Sequence, residues 1–518
     1  MSAIITDQFR IASTLDFVDK VKNSGNNYYL FIGLSNPEDL NPDWNLNPPA
    51  FRDCFNEENK IWETMFSVKR ISPEDVRPVI KKYQWESGIT YDMYHHNINV
   101  DNPSYASESL SLYSSRFYVI NRDFRVYICL NNGYDPQNIK GKPSLDEPTF
   151  VDLEPRAAGE SGDGYIWKYL YTIKPSEVLK FDSTNYIPLP TDWFTSEDYK
   201  EIRDNALPNS GSGQIKTILI KSFGSELGAP GTYTNIPILG DGRDGVAAIV
   251  VGEDRRVERV FVTNGGTGYT YGSLDLSNSS LNLTSAPIFE IIIPPKGGHG
   301  ADIYRELGSK NVLIYSRLEN DILDPDFIVN NKISRIGIIQ NPKAYESESL
   351  LSKTKASVVG ALKLNLARNP DIVVSENEII TQTIGVGITA VARVVSFDEI
   401  TGILKYWQDR NNYGFSVFSN NSPQRPSDSD YGLEKIAFNS SSEINFSESP
   451  LSAEIDNTFN GDTLSINNNT YYLGQNYQDG LANPEVAPYS GEIVYVDNRP
   501  SITRSLNQKE DIKIVLQF

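Results

Sequence analysis

Between Tyr165 and Ile173 the apolar side chains fall on every second position, so that Trp167, Tyr169, Tyr171 and Ile173 share one face. A period of two belongs to a strand, because successive side chains of an extended backbone point to opposite sides. Short apolar runs recur along the chain, at Tyr28–Leu34, Phe66–Ile71, Phe117–Ile120, Phe124–Leu130, Val312–Ser316, Ile333–Ile339, Ile388–Phe397, Ile403–Trp407, Glu492–Val496 and Ile512–Phe518. Turn-forming residues punctuate them: Asn121-Arg122-Asp123, the stretch from Asp398 to Gly402, and Asp497-Asn498-Arg499-Pro500. Such a chain predicts a mainly β fold, with β-sandwich-like layers and a few short helices. The helical period shows at 7–23, where Phe9, Ala12, Leu15, Val18 and Val21 predict a buried stripe widened by Ile11 and Phe17. Ser72-Pro73-Glu74-Asp75 reads as a second helix start. Ile512, Ile514, Leu516 and Phe518 predict a closing strand with one apolar face, tied into a sheet of the N-terminal core.

A length of 518 residues is more than one core holds. Composition shifts near residue 205, and the expected organisation is a core over 1–204, an inserted β module over 205–295, connector strands over 296–345, a second inserted β domain over 346–484, and closing strands over 485–518. The module carries a weak internal repeat: Gly231-Thr232-Tyr233-Thr234 is echoed by Gly268-Tyr269-Thr270, with apolar runs on either side of each. Gly133–Gly164 and Ser419–Asp430 read as loops.

Lys plus Arg number 47 against 67 Asp plus Glu, a formal charge of −20. A surface this acidic repels phosphate backbones, so nucleic acid is not an expected partner. No stretch is long and apolar enough to span a membrane, and the start shows no basic-then-apolar secretory pattern. Cys54 and Cys129 predict buried thiols in a reducing compartment.

Residues that carry chemistry are sparse. His95 and His96 are adjacent, and on a strand they would face opposite sides, too divergent to share a metal. Gly297-Gly298-His299-Gly300 lacks Walker or dinucleotide spacing and reads as a tight turn, or as a loop that holds an anion. Gly240-Asp241-Gly242-Arg243-Asp244-Gly245 lacks the alternating acids of a calcium loop and reads as a β-turn. Glu319, Asp321, Asp324 and Asp326 cluster, but acids crowd every loop. The aromatic strand at Trp167–Tyr171 suits core packing better than a sugar site. No catalytic residue, cofactor or metal site is therefore expected.

Two segments resemble a known family. Gly162-Asp163-Gly164-Tyr165-Ile166-Trp167-Lys168-Tyr169-Leu170, and Ser490–Tyr495 followed by Asn498-Arg499-Pro500 and the final strand, are similar to stretches of the baseplate wedge proteins of T4-like contractile-tail phages, the gene product 8 type. The helix at Phe9–Val21, Ile61-Trp62 with Phe66–Ile71, and Ile333–Pro342 fit the same order. The resemblance covers about 1–200, 300–345 and 485–518, and leaves out the two expected inserts. It implies a homodimeric, non-catalytic virion subunit without a cofactor, assembled in the host cytoplasm and packed against other wedge proteins in the tail baseplate. It marks Gly162, Asp163, Gly164, Tyr165, Trp167, Asn498, Arg499 and Pro500 as structural motif residues. The competing expectation is a receptor- or glycan-binding tail protein that acts through the inserted β modules.

Overall fold

A computed structural model describes the chain except residues 1–3, 24, 37–42, 207–212, 324, 326–331, 367–372, 387, 409–436, 449–451 and 506. The loop expected at Ser419–Asp430 lies outside the described residues. Strand accounts for 41% and helix for 11%, so the fold is mainly β, with several antiparallel sheets. The chain forms two compact units, each built from separated stretches.

The first unit comprises Met1–Val18, Val76–Ile314 and Ile514–Phe518. At its centre is a three-stranded sheet of Tyr118–Ile120, Arg125–Asn132 and Tyr165–Thr172. Asn121-Arg122-Asp123 makes the expected hairpin turn, with Asn121 Oδ1 accepting from the Asp123 and Arg125 amides. Both faces of the Tyr165 strand are covered: Tyr165, Trp167, Lys168, Leu170 and Tyr171 are buried. The expected single aromatic face is interrupted. Tyr127 pairs with Tyr169 and Val126 with Tyr171, so Leu170 is an extra residue in a bulge and Tyr169 remains half-buried. A second sheet places Val76–Lys81 between Tyr186–Pro188 and Asn311–Leu318. The stretch from residue 213 to 293 folds as a four-stranded sheet (Gly231–Gly240, Arg243–Val251, Val257–Thr267, Gly272–Leu274) and a two-stranded ladder of Thr217–Ser222 with Ile288–Ile292. The tyrosines of the repeat are not equivalent. Tyr233 lies within a strand, whereas Tyr269 lies between strands with its hydroxyl buried against Ile238 O and the Gly245 amide.

The second unit comprises Asp19–Asp75 and Tyr315–Lys513. Its five-stranded sheet runs Lys355–Ser357, Met65–Arg70, Tyr28–Gly33, Lys332–Gln340, Glu492–Thr503. All six residues of Tyr28–Gly33 are buried, as an unbroken apolar run between neighbours predicts. Ile388–Asp398 and Ile403–Trp407 lie in a seven-stranded sheet around Leu362, Ile380, Ala392 and Leu404.

Several local expectations are corrected. In the helix Asp7–Lys22 the buried residues are Ile11, Thr14, Phe17, Val18 and Val21, while Phe9 is 64% exposed and Ala12 is exposed. A strict spacing of three drifts around a helix, and Phe9 and Val21 end up about 120° apart. Ser72–Asp75 forms a single 3-10 turn, not a longer helix, because the β-branched run from Val76 continues directly as a strand. Asp497–Pro500 is not a turn but part of the strand Glu492–Thr503, which stands at the sheet edge where a proline lacking an N–H is tolerated. The closing strand, Glu510–Gln517, is the outer member of the sheet holding Asn311–Leu318 and Val76–Lys81. Of its four apolar residues only Ile514 is fully buried, since an edge strand has a neighbour on one side alone.

Candidate functional site

Asp163 sits between two glycines in left-handed backbone, Gly162 at φ 72° and Gly164 at φ 85°. That geometry turns its carboxylate inward, where Oδ1 accepts from the Tyr165 amide (2.9 Å) and Oδ2 from the Leu145 amide (2.9 Å). The loop leading into the strand is thereby tied to the loop that crosses it. A Cβ on Gly164 would stand 2.8 Å from Gly133 Cα, whereas one on Gly162 would meet nothing within 4 Å. Tyr165 continues the tie: its hydroxyl donates to Lys142 O (2.8 Å) and accepts from the Tyr91 amide (2.9 Å). Trp167 stacks on Tyr165 at 5.3 Å and is fully buried. The motif is a structural clasp, and its aromatic rings belong to the core.

Lys168, inside the same motif, has a role the sequence does not show, because its partners lie far along the chain. It is fully buried, and its ammonium donates to Leu153 O (2.6 Å) and Asn205 Oδ1 (2.8 Å). Burial, with the Lys216 charge in support, pushes its pKa down to about 8. Asn205 in turn donates to Glu154 (2.8 Å), which pairs with Lys216 (3.0 Å).

The histidines are partnered by the protein itself. His95 and His96 do not straddle a strand; they lie in irregular backbone with rings stacked 5.2 Å apart. His95 Nδ1 lies within hydrogen-bond distance of the Asn97 amide, and Nε2 meets Glu290 Oε1 at 3.0 Å. His96 Nδ1 accepts from the Ile293 amide. Glu290 also faces Lys221 at 3.4 Å, whose ammonium stands 4.7 Å from the ring centre of Tyr105. The Gly297–Gly300 turn is closed by the chain's own Glu306: Oε1 meets His299 Nδ1 at 2.6 Å and Oε2 accepts from the Gly300 amide at 2.7 Å. Asp241, in the hairpin turn of the calcium-like stretch, accepts from the Thr270 amide and hydroxyl. Glu319 pairs with Lys509 and Asp321 with Lys355; Asp324 and Asp326 lie outside the described residues. Among the described residues no group of three His, Cys, Asp or Glu side chains could hold a metal ion. Cys129 is buried as expected, but Cys54 is exposed just before the helix Phe55–Thr64.

In the second unit the motif Asn498-Arg499-Pro500 serves a buried arginine that sequence reading also missed. Arg335, 2% exposed, donates from Nε to Asn498 Oδ1 (2.8 Å), also bonds Thr64 Oγ1, and stands 5.2 Å from the Trp44 ring centre. Asn498 Nδ2 donates to Pro49 O, and Trp44 Nε1 donates to Arg499 O. Arg499 itself pairs with Asp497.

Gly164→Ala is expected to destabilise the protein by about 2–4 kcal/mol, since a left-handed strain adds to a steric clash with backbone. Gly162→Ala carries the strain alone and should cost about 1 kcal/mol. Denaturant unfolding of the two variants checks the ranking; equal losses would show that the close approach to Gly133 is not a constraint.

The hydrogen bond from His95, helped by the charges of His95 and Lys221, outweighs burial and holds the Glu290 carboxyl at about 2 against an ordinary 4.5. A carboxyl depressed in the folded state stabilises it above the unfolded pKa, and that contribution fades as pH falls from about 4.5 towards 2. For this half-buried group the contribution is about 1–2 kcal/mol after solvent screening. Glu290→Gln should therefore lower stability at pH 7 and flatten the acid limb of the stability profile. A variant with the same acid limb as the parent would contradict the pairing.

With this geometry in view, comparison with known proteins finds one distant likeness. The chain is 25% identical over 213 residues to the baseplate wedge protein gp8 of Enterobacteria phage T4, a match covering 36% of this chain and 60% of that protein. The chain thus spans about three fifths of the length of the relative it matches. No family model matches it. Over about a third of its length, this mainly β chain is distantly similar to a baseplate wedge protein.

Proposed function

We propose that the chain is a structural, non-catalytic subunit of a contractile-tail baseplate wedge, linking neighbouring wedge proteins around the tail hub. In this reading it acts as a homodimer, is assembled in the host cytoplasm, and resides in the virion tail baseplate. The observation that carries the reading is the likeness to gp8 of phage T4. The use made of polar side chains supports it. Asp163, Asp241 and Glu306 each accept from the chain's own backbone amides, and His299, Lys168 and Arg335 are buried within hydrogen-bond reach of groups of the same chain. Side chains used this way fix the fold. A net charge of −20 favours selective contact with basic protein surfaces and disfavours nucleic acid.

Deleting the gene from the phage that encodes the chain tests this directly. The expected result is tails without complete baseplates, restored by supplying the protein in trans. Infectious particles with normal baseplates in its absence would overturn the reading.

A further inference from the structure

The first unit contains a cleft of about 650 Å³ that none of the ties above fills. One wall is the start of the Tyr165 strand and its clasp, at Gly133, Gly164 and Ile166. The opposite wall is the strand Val257–Thr267, which presents Arg259 and Phe261. Between them runs the strand Thr217–Ser222. It is tied to the Val257 strand just beyond its two ends, by Ile215 N–H to Gly265 O and by Val257 N–H to Phe223 O. In the topology these two strands belong to different sheets, so no ladder closes the space along them. Phe261 is 39% exposed, with the Arg259 guanidinium 5.5 Å from its ring centre.

The lining charges cancel: Asp135, Glu154 and Glu258 against Lys142, Lys216 and Arg259. In a chain of net charge −20 this is a locally neutral place. It offers no excess of cations for a phosphate, and its fixed carboxylates disfavour a wholly apolar ligand. Those carboxylates are held in position. Asp135 accepts from the Gln137 and Asn138 amides, and Glu154 is fixed by Asn205 and Lys216. Oriented acceptors suit hydroxyl groups, and an exposed aromatic ring suits the C–H face of a pyranose. We propose that this cleft binds a short neutral oligosaccharide of about two or three sugar units, the size its volume accommodates.

The test uses the full chain. It is screened on an array of neutral and uronic-acid glycans, and maltotriose, cellotriose and chitotriose are titrated by saturation-transfer NMR. The proposal expects at least one neutral glycan to bind with a Kd of about 0.1–1 mM, a range ordinary for a small polar ligand. Phe261→Ala should weaken it at least about tenfold, the loss of one aromatic contact of about 1.4 kcal/mol. Phe261→Tyr, which keeps the ring, should retain binding, and thermal melting of both variants shows whether the fold is intact. Absence of any neutral binder, binding by uronic acids alone, or binding indifferent to Phe261→Ala in a folded variant would each overturn the proposal. None of these outcomes bears on the baseplate reading, which stands or falls on the tails.

Discussion

Two backbone amides, those of Leu145 and Tyr165, meet on one buried carboxylate at Asp163. A chain made of many short strands ends a strand every few residues, and each end leaves backbone groups that no ladder satisfies. Stranding such a group in a core costs about 1–3 kcal/mol. The protein meets this constraint by pointing side-chain carboxylates and amides at strand ends. Asp163 serves the Tyr165 strand, Asn121 the hairpin beside it, Asp241 the Thr270 turn, and Glu306 the glycine turn before its own short helix. In the second unit Asn498 and Trp44 do the same around the strand holding Pro500.

The same constraint accounts for the buried cations. Lys168 lies in a largely apolar strand of the first unit, where its ammonium serves the Leu153 carbonyl and Asn205. Arg335 plays the matching part in the second unit, holding Asn498 and Thr64 together. Removing one partner from such a group leaves a charge without compensation, which is far costlier than losing a surface pair. The polar residues that a reader would search for chemistry are thus tied up in holding strands in register.

Much of the fold was legible in the sequence. Period-two alternation placed the Tyr165 strand, short apolar runs placed the Tyr28, Ile388 and Ile403 strands, and Asn121-Arg122-Asp123 placed a hairpin. What escaped depended on neighbours far along the chain. The bulge at Leu170 is set by the partner strand, and no local pattern shows it. Pro500 reads as a turn residue until the sheet order puts its strand at an edge. Phe9 reads as core until the helix Asp7–Lys22 is seen to bury Ile11 and Thr14 in its place. The clasp residues Gly162, Asp163 and Gly164 stood out through the resemblance of their segment to baseplate wedge proteins. Their partners, Leu145 and Gly133, could not be found that way, since a carboxylate's acceptance of a distant amide leaves no trace in the sequence. Lys168, Glu290 and Arg335 were missed for the same reason.

The central claim is that this chain is a building element of a tail baseplate. A cryo-EM map of intact tails from the encoding phage tests it most directly. The account predicts density for both units of this fold at the baseplate, in paired copies wedged between other proteins around the hub. A map in which the chain is absent from the tail, or sits alone at the tip of a fibre with no wedge neighbours, would contradict it.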